Sequence, residues 1–203
     1  MAREVAVSGL VDVVTTPERR AAYLAAGLWD DRTLAGQLRV HAAERPDATA
    51  VVDETGSWTF AELAADAGRV AGSLRATGVG EGAVVSVQLP NRYPAVVVAA
   101  AVQGLGAVIN PLLPSYRARE LAHVFRTARP AAIITPRTYR DHDHVAMVTA
   151  VSADTGVAPR HVVVDAVSDA PAAGAAAVDG TTPWEALLGG PEGELPTGRA
   201  DLV

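Results

Sequence analysis

At 203 residues, 49% hydrophobic and 20% charged, the chain carries enough apolar material for one domain with a sizeable core, which excludes disorder throughout. A net charge of −6 supplies no basic field for nucleic acid or an anionic membrane surface. With no cysteine, disulfides, thiolate catalysis and Cys-based metal sites are excluded as well.

In chain order, residues 1–30 read as a lead-in. The run after Met1-Ala2-Arg3-Glu4 is broken at Ser8-Gly9 and Asp12, too early for a signal-peptide core. Pro17–Ala26 predicts a helix, with Pro at its first turn after Thr16. Residues 31–165 predict an α/β subdomain. Thr33 caps a helix running to about Arg45, and Arg45-Pro46-Asp47 ends it. Thr49–Asp53 and Ser57–Thr59 predict a hairpin around Glu54-Thr55-Gly56. Thr59 and Glu62 make a capping box, and the helix they open puts Phe60, Leu63, Ala67, Val70, Ala71 and Leu74 on one stripe.

The stretch from Val84 to Pro136 is the most informative. Val84–Leu89, Ala107–Asn110 and Ala131–Thr135 predict strands: each is short, apolar, rich in Val or Ile, and ended by Pro. Between the first two, Tyr93–Gly104 is apolar on nearly every face, so it predicts a helix buried on several sides, with Pro94 tolerable at its first turn. This alternation implies an α/β fold with a mostly parallel sheet flanked by helices. Arg117–Arg126 predicts an amphipathic helix burying Leu121, Val124 and Phe125, and His161–Asp165 a further strand. Residues 166–203 read as an Ala/Gly/Pro-rich loop to Asp179, then a short helix opened by Thr182-Pro183-Trp184-Glu185 and ended by Gly189-Gly190. The apolar run 94–109 contains Gln103 and two glycines and falls short of the roughly 18–20 residues of a membrane span, so a cytoplasmic address is expected.

The runs Thr59-Phe60-Ala61-Glu62-Leu63, Val84 to Asn91 (VVSVQLPN) and Leu105 to Pro111 (LGAVINP) resemble the N-terminal part of the adenylate-forming (AMP-dependent) synthetases and ligases, most of all the acyl-CoA synthetases. Ala26-Gly27-Leu28-Trp29, together with the stretch from Asn110 to Arg117, is similar to the ligases for cyclohexanecarboxylate or short- and medium-chain acids; the aryl-acid ligases fit the second feature less well. The resemblance covers about residues 20 to 165. It implies the first subdomain, incomplete, of the family's N-terminal domain, and a two-step activity: ATP and a carboxylic acid give an acyl-adenylate, from which CoA thiol takes the acyl group. ATP, Mg and CoA are thus the implied cofactors of a complete enzyme. The implied partner is the remainder of the ligase, whose second α/β unit would cover a large apolar patch left exposed here.

The motifs that the resemblance assigns to this chemistry are a Ser/Thr/Gly-rich phosphate loop with a lysine, a Tyr/Thr-Glu pair for Mg-ATP, and a lysine in a C-terminal domain. None occurs in the chain, and all 17 basic residues are arginines. The final Ala200-Asp201-Leu202-Val203 looks like the approach to the strand before the phosphate loop, so the chain is expected to stop short of the chemistry and to be inactive alone. The alternative is a non-catalytic binding or regulatory module of the same fold.

Five further features bear on function. Gly78-Val79-Gly80-Glu81-Gly82 precedes its strand, at a helix end, and reads as a turn rather than a phosphate cradle. Asp141-His142-Asp143-His144 has metal-ligand residue types, but neighbours alternating along a helix do not share a face, and a solvated helix start is expected. Ser8 and Ser115 lack a nucleophile elbow, so no catalytic residue is assigned; Trp58 and Tyr93 read as core or rim packing. Arg117 is the one candidate binding residue. In CoA ligases, as the resemblance implies, the loop after the Asn-Pro dipeptide lies near the CoA phosphates, where a guanidinium can bind phosphate bidentately. The plainer role for Arg117 is to sit at the first turn of its helix and pair with Glu120.

Overall fold

The computed structural model describes residues 16–29, 32–167, 180–191 and 193–198. Expectations for residues 1–15, for most of the Ala/Gly/Pro-rich loop and for the terminal Ala-Asp-Leu-Val lie outside the described residues.

Local signals in the sequence set most of the elements. Thr16 accepts a hydrogen bond from the Arg19 amide and opens α1 (Pro17–Ala25); Thr33 does the same for Gly36 and opens α2 (Leu34–Glu44). β1 (Thr49–Asp53) and β2 (Gly56–Thr59) form the expected antiparallel hairpin. The capping box is complete: Glu62 N donates to Thr59 Oγ1 and Thr59 N to Glu62 Oε2, opening α3 (Phe60–Ala76). Of its apolar stripe, Leu63, Ala67, Val70, Ala71 and Leu74 are buried and Phe60 partly so.

The centre is a five-stranded parallel sheet. Its strands are β3 (Val84–Val87), β4 (Val108–Pro111), β5 (Ala132–Thr135), β8 (Arg160–Val163) and β9 (Thr181–Pro183), in the order β4-β3-β5-β8-β9. α4 (Tyr93–Gly104) links β3 to β4 and α5 (Ala118–Ala128) links β4 to β5. The step from β3 to β4 runs one way across the sheet and the step to β5 the other, so right-handed crossovers put α4 and α5 on opposite faces. Side chains divide with period two. Val85, Val87, Ala132, Ile134 and Val162 pack under α2, α3, α4 and α7 (Trp184–Leu188), whereas Ile133 packs under α5 and α6 (His144–Thr155).

The structure corrects several sequence expectations. Among the described residues both faces of the sheet carry helices, and the exposed large apolar residues include Val52 and Val96. The strand near His161 begins at Arg160 and ends at Val163, and Asp165 starts a 3-10 turn that reaches Val167. β9 was not expected, because Thr-Thr-Pro is too short to carry a strand period. Asp141–His144 is the expected helix start only at its exposed cap, Asp143. β6 (Thr138–Tyr139) and β7 (His142–Asp143) form a tight hairpin whose central Arg140 and Asp141 both have positive φ, Asp143 caps α6, and His144 is fully buried.

Residues 193–198 lie across α2, α3 and α4. Leu195 is buried, Thr33 Oγ1 donates to the Thr197 carbonyl, and Arg39 pairs with Glu194. This crossing requires glycine at 104, where a Cβ would lie 2.6 Å from Pro196 O and 3.1 Å from Leu195 Cδ1. Alanine would gain about 1 kcal/mol of helix propensity, but a backbone oxygen at that distance must move. Gly104→Ala is therefore expected to lower stability by a net of about 1–3 kcal/mol in urea unfolding. Gly80→Ala, which meets open space, should not.

Candidate functional site

A 2-1-3-4-5 strand order has its switch point where successive connections leave in opposite directions, here between the carboxyl ends of β3 and β5. The loops that meet there are 88–92, 112–117 and 136–143. Buried polar side chains gather towards this edge: Gln88, Thr135 and His144 lie at it, and Ser86 and His161, both paired with Ile133, sit two residues back along the strands. They share the α5/α6 face because Ser86 and Gln88 alternate with Val85 and Val87, and His161 with Val162.

Each is held in place. Asn110 Nδ2 donates to Ser86 Oγ at 3.2 Å across the β3–β4 pair. Gln88 Nε2 donates to the carbonyls of Leu113 and Tyr116 at 3.1 and 3.0 Å, which leaves its buried Oε1 without a partner. Thr135 Oγ1 donates to Pro136 O at 2.8 Å, so it can only accept from His161 Nε2, also at 2.8 Å. That arrangement puts a proton on His161 Nε2, and burial drives the ring's pKa from the ordinary 6.5 to about 4, which favours its neutral form. Beside them, Arg137 and Asp165 form a bidentate pair at 2.7 and 2.9 Å that fastens the carboxyl ends of β5 and β8. A groove of about 520 Å³ opens next to this edge, lined by Arg137, Thr138, Asp143, Val145, Ala146 and Thr149.

Arg117, the candidate from the sequence, stands at this edge as the N-cap of α5. Its Nη1 donates to the Pro114 and Tyr116 carbonyls at 3.1 and 3.0 Å. Glu120 accepts from the Arg117 backbone amide at 3.1 Å, so their contact runs through the main chain rather than through the guanidinium. His142 Nε2 faces Met147 Sδ at 3.3 Å, and among the described residues no group of three His, Cys, Asp or Glu side chains is placed to hold a metal ion. The Gly78–Gly82 segment lies at the opposite, amino edge of the sheet, with Gly78 and Gly82 at positive φ and Gly82 N donating to Gly106 O. Trp58 and Tyr93 stack at 4.1 Å between centroids, and Tyr93 Oη donates to Asp66 at 2.8 Å.

One part of the frame had no local signal. Arg92 gives α4 no side-chain cap; Asp53, forty residues earlier in the β1–β2 hairpin, accepts from the Tyr93 amide at 2.8 Å instead. The Thr55 hydroxyl, then the Tyr93, Thr55 and Gly56 amides, hold the Asp53 carboxyl down to about 2. Chemically, the edge is a polar frame in which the Thr135 hydroxyl joins His161 to the Pro136 carbonyl.

Comparison with known proteins places this frame. Residues 38–197 match the AMP-binding enzyme family model. The chain belongs to that family. It is 40% identical over 144 residues to a 2-hydroxy-7-methoxy-5-methyl-1-naphthoate–CoA ligase of Streptomyces carzinostaticus, covering 71% of this chain and 26% of that protein. It is 35% identical over 131 residues to the medium-chain fatty-acid–CoA ligase of Escherichia coli, covering 64% and 23%. Its fold matches the Mycobacterium smegmatis MbtA apo structure with a TM-score of 0.70 at 30% identity, covering 92% of this chain and 34% of that one. The chain thus spans about a quarter to a third of these three relatives. No helix among the described residues is long and apolar enough to cross a membrane.

Proposed function

We propose that the chain is the first α/β part of an ATP-dependent acid–thiol ligase, acting in the cytoplasm. In the assembled enzyme a carboxylic acid is converted to an acyl-adenylate and then passed to CoA. The observation that carries this reading is the sequence agreement with named CoA ligases, 40% identity over 71% of the chain for the naphthoate–CoA ligase. ATP, Mg and CoA belong to the assembled enzyme. In this part, Arg117 is proposed to reach a CoA phosphate through the guanidinium nitrogens that Pro114 and Tyr116 leave free.

The remainder of the ligase is proposed to seat on the outer side of α4. That helix is apolar on nearly every face, yet Ala95, Val96 and Ala99 line an open groove of about 450 Å³ with Val51 and Val52. The crossing of residues 195–198 at Gly104 lies at the C-terminal end of the same helix. The two parts would meet through this stripe, since an interface between obligate halves is large and apolar.

Assembly is the test. The chain alone is expected to show no acid-dependent pyrophosphate release and no saturable ATP binding at millimolar concentration, about −4 kcal/mol. Co-expressed with a downstream ligase segment carrying the phosphate loop, it should co-purify and restore CoA ligase activity. Val96→Asp, at a position 37% exposed, should leave the chain folded and weaken that association at least tenfold. Failure of the wild-type halves to associate would favour a stand-alone binding module, and adenylation by the pure chain would overturn the reading outright.

A further inference from the structure

His144 sits at the first turn of α6 with none of its surface exposed. Its Nδ1 lies 3.2 Å from the carbonyl oxygen of His142, and its Nε2 lies 3.3 Å from the carbonyl oxygen of Pro114. Both partners are acceptors. A neutral imidazole has a single N–H and can serve only one of them; the imidazolium serves both. Pro114 belongs to the 112–117 loop, which is also held by Gln88 from the end of β3 and by Arg117 from the start of α5. Of these three ties, His144 is the one whose donor count changes with pH.

We propose that the charge on His144 sets how firmly the 112–117 loop is fastened to the β6–β7 hairpin, with two anchoring hydrogen bonds when the ring is charged and one when it is neutral. The loop carries Arg117 and the exposed Leu113 at the mouth of the switch point, so His144 acts as a positioning residue for that edge. The groups that face the ring are Arg117 from α5, the His142 ring edge-on at 5.3 Å between centroids, His161 from β8, and Asp143 at the adjoining cap. Burial first, then His142 and Arg117, oppose the charge, while the His142 and Pro114 carbonyls favour it, and the balance moves the ring below the ordinary histidine range. The second anchor thus forms on the acid side of 6.5. This inference stands independently of the ligase reading.

The test is an NMR titration of the full chain, following the histidine ring nitrogens and the backbone amides together. The amides of Leu113, Ser115, Tyr116 and Arg117 are expected to shift with the midpoint of the His144 ring. Their hydrogen-exchange protection against local loop opening, in which the ring stays buried and loses only the Pro114 carbonyl that favours its charge, should rise about tenfold as pH falls through it, the size of one net hydrogen bond, even while global stability declines. His142→Gln should keep this transition. His144→Gln, whose neutral amide cannot change its donor count, should abolish it while retaining a cooperative melt. Loop amides that ignore the His144 midpoint in the His142→Gln protein overturn the proposal even if His144→Gln does not fold. So does a loop transition that persists in His144→Gln.

Discussion

Lowering the pH from 6.5 to about 4 is expected to cost the fold about 3 kcal/mol, most of it through His161. The folded ring stays neutral down to about 4 because burial makes the imidazolium costly, whereas the ring of the unfolded chain takes up its proton near 6.5. Between those values the unfolded state binds more protons, so stability is full above the window, falls as pH drops through it, and levels off below. His142 and His144, also held below their ordinary range by burial, add in the same direction. The carboxylates act lower: Glu18, Glu62 and Glu120, held below 4.5 by hydrogen bonds first, lose their contribution only as pH falls beneath that value. The stabilisation carried by Asp53 is present above 3.8 and disappears only as pH falls towards about 2.

Urea unfolding at closely spaced pH values between 7 and 3.5 measures this, with a constant m-value as the check that the transition remains two-state. His161→Gln should flatten most of the decline, because the Gln amide can still donate to Thr135 Oγ1 but does not titrate. A decline of undiminished size in His161→Gln would assign the effect to other groups and remove His161 from the account.

How much of the molecule could be read beforehand depended on the range of the signal. The capping box at Thr59 and Glu62, the hairpin before it and the helix Tyr93–Gly104 are written in residues a few positions apart, and each formed as the local chemistry dictates. The switch point follows from the order of strands, which is not local. Histidines at 142, 144 and 161 look solvated or incidental in a charged sequence, and only the folded sheet brings His144 and His161 to one edge. Arg140-Asp141 is an uncommon pair for a two-residue turn needing positive φ twice, so the hairpin that reorients His142 left no turn signature. Asp53 capping α4 and Asp165 gripping Arg137 join positions 40 and 28 residues apart. The absence of lysine, by contrast, was visible at once and set the expectation that chemistry comes from elsewhere.

In the assembled ligase, Arg117→Ala is expected to raise the apparent KM for CoA by roughly 10- to 100-fold and to leave the adenylation half-reaction alone. Removing one charge-assisted contact to phosphate costs about 1.5–3 kcal/mol, and a contact made only with CoA is felt only in the second step. The competing role is structural: Nη1 already fastens the Pro114 and Tyr116 carbonyls, and losing it would loosen the 112–117 loop for every reaction at that edge. The two half-reactions separate these roles. Pyrophosphate exchange measures adenylation, and thioester formation from preformed acyl-adenylate measures transfer. Arg117→Lys sharpens the comparison, because an ammonium keeps the charge but cannot reproduce the planar fork that serves loop carbonyls and phosphate together. Selective loss of CoA affinity in Arg117→Ala, partly restored in Arg117→Lys, supports the phosphate contact. Equal losses in both half-reactions would mean that Arg117 holds the loop and touches no substrate.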